Sequence, residues 1–548
     1  MENVMTGTQQ GQINITSACE GVDQSKSVVT PVTQNSCRLR EEKRDYSGLE
    51  SVYAWISLAL GYLFCKVFPV WVNPLGGVLF VLVLYGVSIP LLKMNGACFG
   101  KNTIAAIVSG VLVACSLVMN SREIMELFAF SYSIMTYCYV VFVSLENETQ
   151  KGFSDYIVVD YFKALIIAPF KNIGSLFKAL FEGKAKKGSD VLKKVILGIF
   201  IAMIPTIIVA NLLSFDEGFT KIISNFLNFG IDDVFSEMFT MIFGVLVGMY
   251  VFELFVVSKD KECKEYSLIE CEEKVANMKK AHFATVISAV LPIFVLYVIF
   301  FISQWKYFMY GFSGKLPEGF SYASYAREGF FQLCKVSVIN LIIIVSVIIC
   351  MQQKEKWTVK LKSIIVVIYA LVTLVLIATA IAKMAMYINC YGLTQKRVYS
   401  TWFMVLLAMI FVIIIVKQFV KKISAVALSV WVTIGMFTVL AFSNVEGFIA
   451  RYNINQYLSG EMENLDMEAL DKLGDAAVPE VVYLIEELDK SDETNGILKP
   501  NTVYSDMQLF LEEAALEYNN EPREIMGYTL PYYKAIAALE NAGFMEFE

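Results

Sequence analysis

The chain has 548 residues, of which 56% are hydrophobic and only 18% charged, with a mean hydropathy of +0.57 and a formal net charge of -7. A water-soluble fold has too little polar surface to cover that much apolar side chain, so the composition excludes a soluble globular class and points to a membrane. The acidity is concentrated after Phe442, where 22 acidic residues stand against 6 basic ones, which excludes nucleic acid as a partner.

Residues 1–50 form a polar tail, read as disordered and cytosolic, without the early apolar core of a cleavable signal peptide. Apolar runs of the roughly 20 residues needed to cross a bilayer lie near 51–71, 75–92, 103–119, 124–145, 191–212, 236–258, 283–303, 331–351, 361–382, 400–417 and 424–442. This predicts four spans within 51–145 and seven within 191–442, eleven in all. The connecting stretches alternate in basic charge. The tail (Arg38, Arg40, Lys43, Arg44), 151–194, 259–280, 354–362 and the Lys417, Lys421, Lys422 turn are rich in lysine and arginine, whereas the loops between them are neutral or acidic. By the positive-inside rule the N-terminus is cytosolic and the C-terminus extracytoplasmic, with the bilayer as the first partner.

Within the basic cytosolic segment 146–190, the run 161–181 is amphipathic: Lys163, Lys171 and Lys178 share one face, and Leu165, Ile173, Leu176 and Leu180 another. It reads as an interfacial helix bent at Pro169, with anionic lipid head groups against its lysines. Residues 443–548 read as an acidic extracytoplasmic helical domain. Asp475 and Pro479 precede or open a stripe of Val478, Val481, Ile485 and Leu488, and the run Leu530–Asn541 stops at Gly543. The fold class is therefore all-α: a polytopic transmembrane bundle of about 11 spans with a small external C-terminal α-helical domain.

Constellations that carry chemistry are scarce. The one histidine is His282, and eleven cysteines are scattered without a CxxC pair, so no catalytic, metal or cofactor residues are assigned and an enzyme is the less favoured class. Polar groups inside spans are costly and each carries a hypothesis. In the fourth span Glu126, Ser133, Tyr137 and Ser144 form a stripe that must face protein or water, with Glu126 expected at the outer surface, hydrated. The sixth span carries Gly244 and Gly248 in the GxxxG spacing of tight helix packing, and Glu253; Asn340 lies in a later span, and Lys335 and Lys383 are placed where they snorkel outward. Two external loops, 304–331 and 387–397, combine aromatic rings with Arg327 and Arg397. Such arginines suit a bidentate anion, either a lipid head group or the acidic tail, although helix capping or phospholipid anchoring is the favoured reading of their placement.

The blocks YAREGF (325–330), MYINCYGLTQKR (386–397), NVEGFIARYNINQY with LDMEALDKLGDAAVP (444–479) and LLSFDEGF (212–219) resemble the bacterial multi-pass membrane proteins of the DUF4153/DUF4173 family, over most of the chain beyond about Leu145. The resemblance implies a bacterial cell membrane and imports no mechanism, the family being uncharacterised. It singles out Tyr325, Arg327, Gly329, Tyr391, Gly392, Arg397, Arg451, Tyr452 and Asn453 as a shared external site. The favoured function is a cell-envelope scaffold or sensor component whose external domain meets an envelope protein. A secondary transporter, or a membrane-embedded enzyme acting on envelope lipid or glycan, are the alternatives.

Overall fold

The structure is a computed structural model describing residues 46–120, 123–152, 154–182, 231–261, 268–313, 322–462, 464–495 and 501–545, with single positions 198, 202, 205, 209 and 213. At 181–182, 231–235, 304–313, 322–329, 491–495 and 501–502 it describes the backbone alone. Among these residues the fold is all-helical, apart from an isolated bridge between Ala281 and Met351.

Helix α1 (Gly48–Val67) starts with a capping box, Ser47 accepting from the Glu50 amide while Glu50 reaches back to the Ser47 amide. Helix α2 (Pro74–Met94) opens on proline, which has no amide to leave unpaired there. Helix α3 (Lys101–Cys115) tightens into a 3₁₀ turn, Ser116–Met119, before α4 (Glu123–Ser144). Then come α5 (Ile157–Phe162), which continues through a π turn at Lys163–Ile167, and α6 (Ser175–Glu182). After them lie α7 (Ile231–Lys259), α8 (Leu268–Met278), α9 (Phe283–Ser313), α10 (Tyr322–Cys350), α11 (Lys356–Tyr391), α12 (Gln395–Phe419) and α13 (Ala425–Phe442). The C-terminal part adds α14 (Val445–Leu458), α15 (Met467–Asp471), α16 (Val478–Asn495), α17 (Asn501–Asn520) and α18 (Leu530–Asn541).

Ten helices among the described residues are long and apolar enough to cross a membrane: α1, α2, α3 with its 3₁₀ turn, α4, α7 and α9 to α13. Their outward positions, such as Leu296, Ile302, Phe239 and Val439, are exposed aliphatic and aromatic side chains that water would not tolerate in such numbers. The eleventh expected run, 191–212, lies outside the described residues apart from positions 198, 202, 205 and 209, as do the N-terminal tail up to residue 45 and, apart from position 213, the block at 212–219. Two expected external loops are largely helical. Helix α11 has 36 residues, about 54 Å at 1.5 Å per residue, far longer than the roughly 30 Å of hydrocarbon, so most of 387–397 is its last turn and the first turn of α12. Likewise α9 runs on to Ser313 and α10 begins at Tyr322, which puts Arg327 in the first turns of a helix whose apolar span starts at Phe330.

Three cores organise the helices. The first joins α1 to α4 with α7, and Gly61 of α1 meets Gly244 and Gly248 of α7 at the tightest approach of any described glycine: a Cβ built on Gly61 would lie 1.9 Å from the Gly244 carbonyl oxygen. The second joins α9 to α12, locked by Asn340 of α10, which accepts from the Tyr297 hydroxyl and donates to Thr373 Oγ1 at 2.9 Å. The third is formed by α14 to α18. Helix α13 ties the first two together: Asp155 accepts from Ser424 Oγ (2.7 Å) and the Val426 amide (3.2 Å) at its start and Asn120 donates to the Ala441 carbonyl (2.8 Å) at its end, while Trp402 Nε1 of α12 donates to the Met436 carbonyl (3.3 Å) from the second bundle.

The basic segment corrects the reading of Lys163. Lys171 and Lys178 are exposed, but Lys163 is 2% exposed, donates to Thr149 Oγ1 at 2.7 Å and lies 4.0 Å from Asp160 Oδ1. Asp160 one turn earlier supplies a buried counter-charge, so this ammonium is held inside while the other two are not. The segment is also wedged into the first core: Tyr250 donates to the Leu165 carbonyl (2.9 Å) and Ser51 to the Ala179 carbonyl (3.0 Å). Its other side, Phe162, Ile166, Phe170 and Ile173, is exposed and apolar; Ile173 therefore leaves the face on which the periodicity placed it.

Candidate functional site

The site forms where the turn between α11 and α12 receives α14. Helix α11 ends because Gly392 takes φ +70° and ψ -174°, a conformation open almost only to glycine. A Cβ there would sit 2.4 Å from Asn453 Oδ1, so the same missing side chain allows α14 to approach. Asn453, 8% exposed, then grips the next residue twice: its Oδ1 accepts the Leu393 amide at 2.6 Å and its Nδ2 donates to the Leu393 carbonyl at 3.0 Å. Both polar groups of a turn peptide that no helix can satisfy are thereby paired.

Seven residues earlier on α14, on the same helical face, Glu446 is 1% exposed and accepts from Gln395 Nε2 at 3.2 Å and from the Tyr399 hydroxyl at 3.1 Å. Glu446 and Asn453 together fix α14 along the first two turns of α12. Arg397 closes the turn from the other side. Its Nη1 donates to the Tyr391 carbonyl at 2.8 Å and to the Gly392 carbonyl, and its guanidinium stacks 4.0 Å from the Tyr387 ring centroid. Arg397 is thus a C-cap of α11 as well as a cation at the rim of the site.

Of the nine residues expected to share this site, Tyr391, Gly392, Arg397 and Asn453 come together. Arg451 and Tyr452 point elsewhere from α14: Arg451 lies 3.9 Å from Glu480 of α16 and over Tyr483, and Tyr452 packs beside Phe448. Tyr325, Arg327 and Gly329 belong to the first turns of α10, where only the backbone is described. Burial pushes the Glu480 carboxyl above its ordinary value, with Arg451 and Lys534 pulling it back. Its charged form is therefore disfavoured in the folded state, a cost present above the folded pKa and relieved as pH falls through it. Glu480→Gln is expected to raise the melting temperature at pH 7.5 and to make no difference by about pH 4; a lower melting temperature at pH 7.5 would mean that pairing with Arg451 outweighs burial.

The intramembrane candidates face protein. Ser133 donates to the Gly110 and Ala129 carbonyls, both at 2.9 Å, Tyr137 bonds Ser88 at 2.8 Å, and Ser144 donates to the Val141 carbonyl at 3.1 Å, so the stripe of the fourth span faces protein. Glu126 is not hydrated as expected but 2% exposed. The C-terminal helices cover it, with neighbouring Met125 joining their core and the turn at Ile525–Gly527 lying against the start of α2. Glu253 accepts from Ser175. In the C-terminal core Asp475 is held by Arg523 (Nη1 to Oδ2, 2.8 Å) and by the Tyr518 hydroxyl (2.9 Å), which ties the turn before α16 to the segment between α17 and α18.

Sequence reading missed Glu446, Gln395, Asn120 and Asp155. For Glu446 a signal was present: it stands seven residues before Asn453 in the same block, one face of one helix.

A model of the family described as a domain of unknown function, DUF4153, matches residues 103–484, which is α3 to the first half of α16 and contains every block quoted above. The match begins in α3, about forty residues earlier than the resemblance suggested. Comparison with curated proteins and with solved structures gives no match.

Proposed function

This chain belongs to the DUF4153 family, and we propose that it is a scaffold of the bacterial cell envelope, whose multi-pass bundle holds the C-terminal helices at the extracytoplasmic face for an envelope partner. The observation that carries this reading is the latch of Asn453 on Leu393, reinforced by Glu446, which joins the acidic helices to the bundle through directional bonds. A domain that merely trailed from the last span would need no such joint. The basic stretches at the opposite ends of the spans support a cytosolic N-terminus and an extracytoplasmic C-terminus.

The test uses intact cells and a cysteine-free background. Single cysteines at Ser459 and Ser505, both exposed, are expected to react with an impermeant maleimide, whereas one at Asn277 in α8 reacts only after the membrane is opened. Crosslinking from Ser505→Cys is then expected to give one discrete adduct that is lost in Asn453→Ala. Labelling of Asn277→Cys from outside with protection of Ser505→Cys would reverse the orientation and remove the envelope scaffold.

A further inference from the structure

We propose that the second bundle holds a binding site for an anionic phospholipid, with the phosphate among Lys383, Lys396 and Arg397 and an acyl chain in the apolar space beneath them. Two adjoining cavities form between α9, α10, α11 and α12. One, of about 440 Å³, is walled by Leu296, Phe300, Leu333, Val336 and Leu376, with Lys383 also in its lining. The other, of about 620 Å³, is lined by Tyr387, Thr394, Lys396, Arg397 and Ser400. Gln332 borders both, so the two cavities adjoin at this side chain. Each falls within the roughly 300–1,000 Å³ of ordinary ligand sites.

Among the described residues that line this space the charge has one sign. Lys383 and Tyr387 are one turn apart on α11, about 6 Å along the axis, and the Tyr387 ring carries the Arg397 guanidinium at 4.0 Å. Lys396 is the neighbour of Arg397 on α12, and none of the described lining residues is acidic. Arg397 spends Nη1 on the turn carbonyls, while its Nη2 and Nε donors have no protein partner among the described residues. A planar fork with free donors, flanked by two ammonium groups, suits a phosphate diester or monoester.

The apolar part decides between a free anion and a lipid. Leu296 lines the inner cavity yet is 63% exposed, on a face of α9 shared with the exposed Ile299 and Ile302. The space therefore opens sideways among residues that face hydrocarbon, so an acyl chain enters from the bilayer while its head group remains at the level of Arg397. The site goes beyond the scaffold reading and does not depend on the side of the membrane on which the C-terminal helices lie.

The experiment takes the full chain, purified in a neutral detergent, and titrates dioctanoyl phosphatidylglycerol, dioctanoyl phosphatidylcholine and inorganic phosphate, with bound ligand counted by native mass spectrometry. Phosphatidylglycerol is expected to bind at one site, at least about tenfold more tightly than phosphatidylcholine or phosphate, and to lose about tenfold in Lys383→Gln and in Lys396→Gln. Leu296→Trp, at an exposed position, is expected to block the lipid by filling the mouth, and gel filtration reports whether each variant remains folded. Equal binding of phosphatidylcholine, or binding indifferent to both lysine variants, would overturn the proposal. Phosphate binding as tightly as the lipid and unaffected by Leu296→Trp would replace it with a free-anion site. The scaffold reading stands or falls separately, on the labelling of Ser505→Cys.

Discussion

Leucine in place of Gly61 is expected to abolish folded, monodisperse protein. The Cβ position at Gly61 lies 1.9 Å from the Gly244 carbonyl oxygen and 2.6 Å from the Gly248 amide nitrogen, and reciprocally a Cβ at Gly248 would be 2.8 Å from the Ser57 carbonyl oxygen. All of these neighbours are backbone, which has no rotamer into which to retreat, so α1 and α7 must move apart along their whole contact. Even alanine exceeds the overpacking cost of about 1–3 kcal/mol seen where side chains can yield. The control is internal to the chain. Gly86 of α2 and Gly435 of α13 have nothing within 4 Å of their Cβ positions, so alanine there should be neutral or should stabilise by roughly 0.5–1 kcal/mol through helix propensity. Fluorescence-detected gel filtration and melting temperatures of the three alanine variants and Gly61→Leu make the comparison. Melting of Gly61→Leu at the wild-type temperature would show that α1 and α7 do not cross at these glycines.

Asn453→Ala is expected to release α14 from the bundle without disturbing the spans. It leaves the amide and carbonyl of Leu393 unpaired in a buried turn, at about 1–3 kcal/mol for each group, and Leu393 is itself only 7% exposed. Asn453→Asp separates hydrogen bonding from shape. The carboxylate still accepts the Leu393 amide but opposes the Leu393 carbonyl with a second acceptor, so it too should loosen the joint. Hydrogen exchange reads the effect directly: amide protection at Leu393 and through α14 should fall at least tenfold in both variants, while α1 and α7 keep theirs. Unchanged protection at Leu393 would mean that the joint is held by apolar packing alone, and the latch would cease to support a scaffold. Gly392→Ala should resemble these variants, since its backbone conformation and the nearby Asn453 oxygen both reject a Cβ.

The membrane helices were legible because length and apolarity are local properties. The runs 236–258, 283–303 and 331–351 coincide within a residue or two with the apolar windows of α7, α9 and α10, and Leu530–Asn541 is α18 with the bounds read from the run and its stop at Gly543. The GxxxG pair of α7 was equally readable, since the need for small residues at a helix crossing is written in the spacing itself, although its partner Gly61 was not. Loop lengths were misjudged for a related reason. Aromatic and basic residues at 387–397 break the hydropathy window but do not break a helix, and only the glycine conformation at Gly392 ends α11.

By itself, then, the sequence determined an all-helical membrane class, the positions of the described spans and the family, and named four residues that lie together at the turn after α11, because each follows from composition, period or a block of adjacent residues. The tertiary structure alone decided which polar groups meet. Asn120 pairs with Ala441 321 positions away, Asp155 with Ser424 269 positions away, and Asn453 with Leu393 60 positions away. It also decided that Glu126 and Lys163 are buried while Lys171 and Lys178 are not. A polar side chain carries no record of its distant partner: whether it faces water, lipid or another backbone is set by how helices pack, and packing is a property of all of them together.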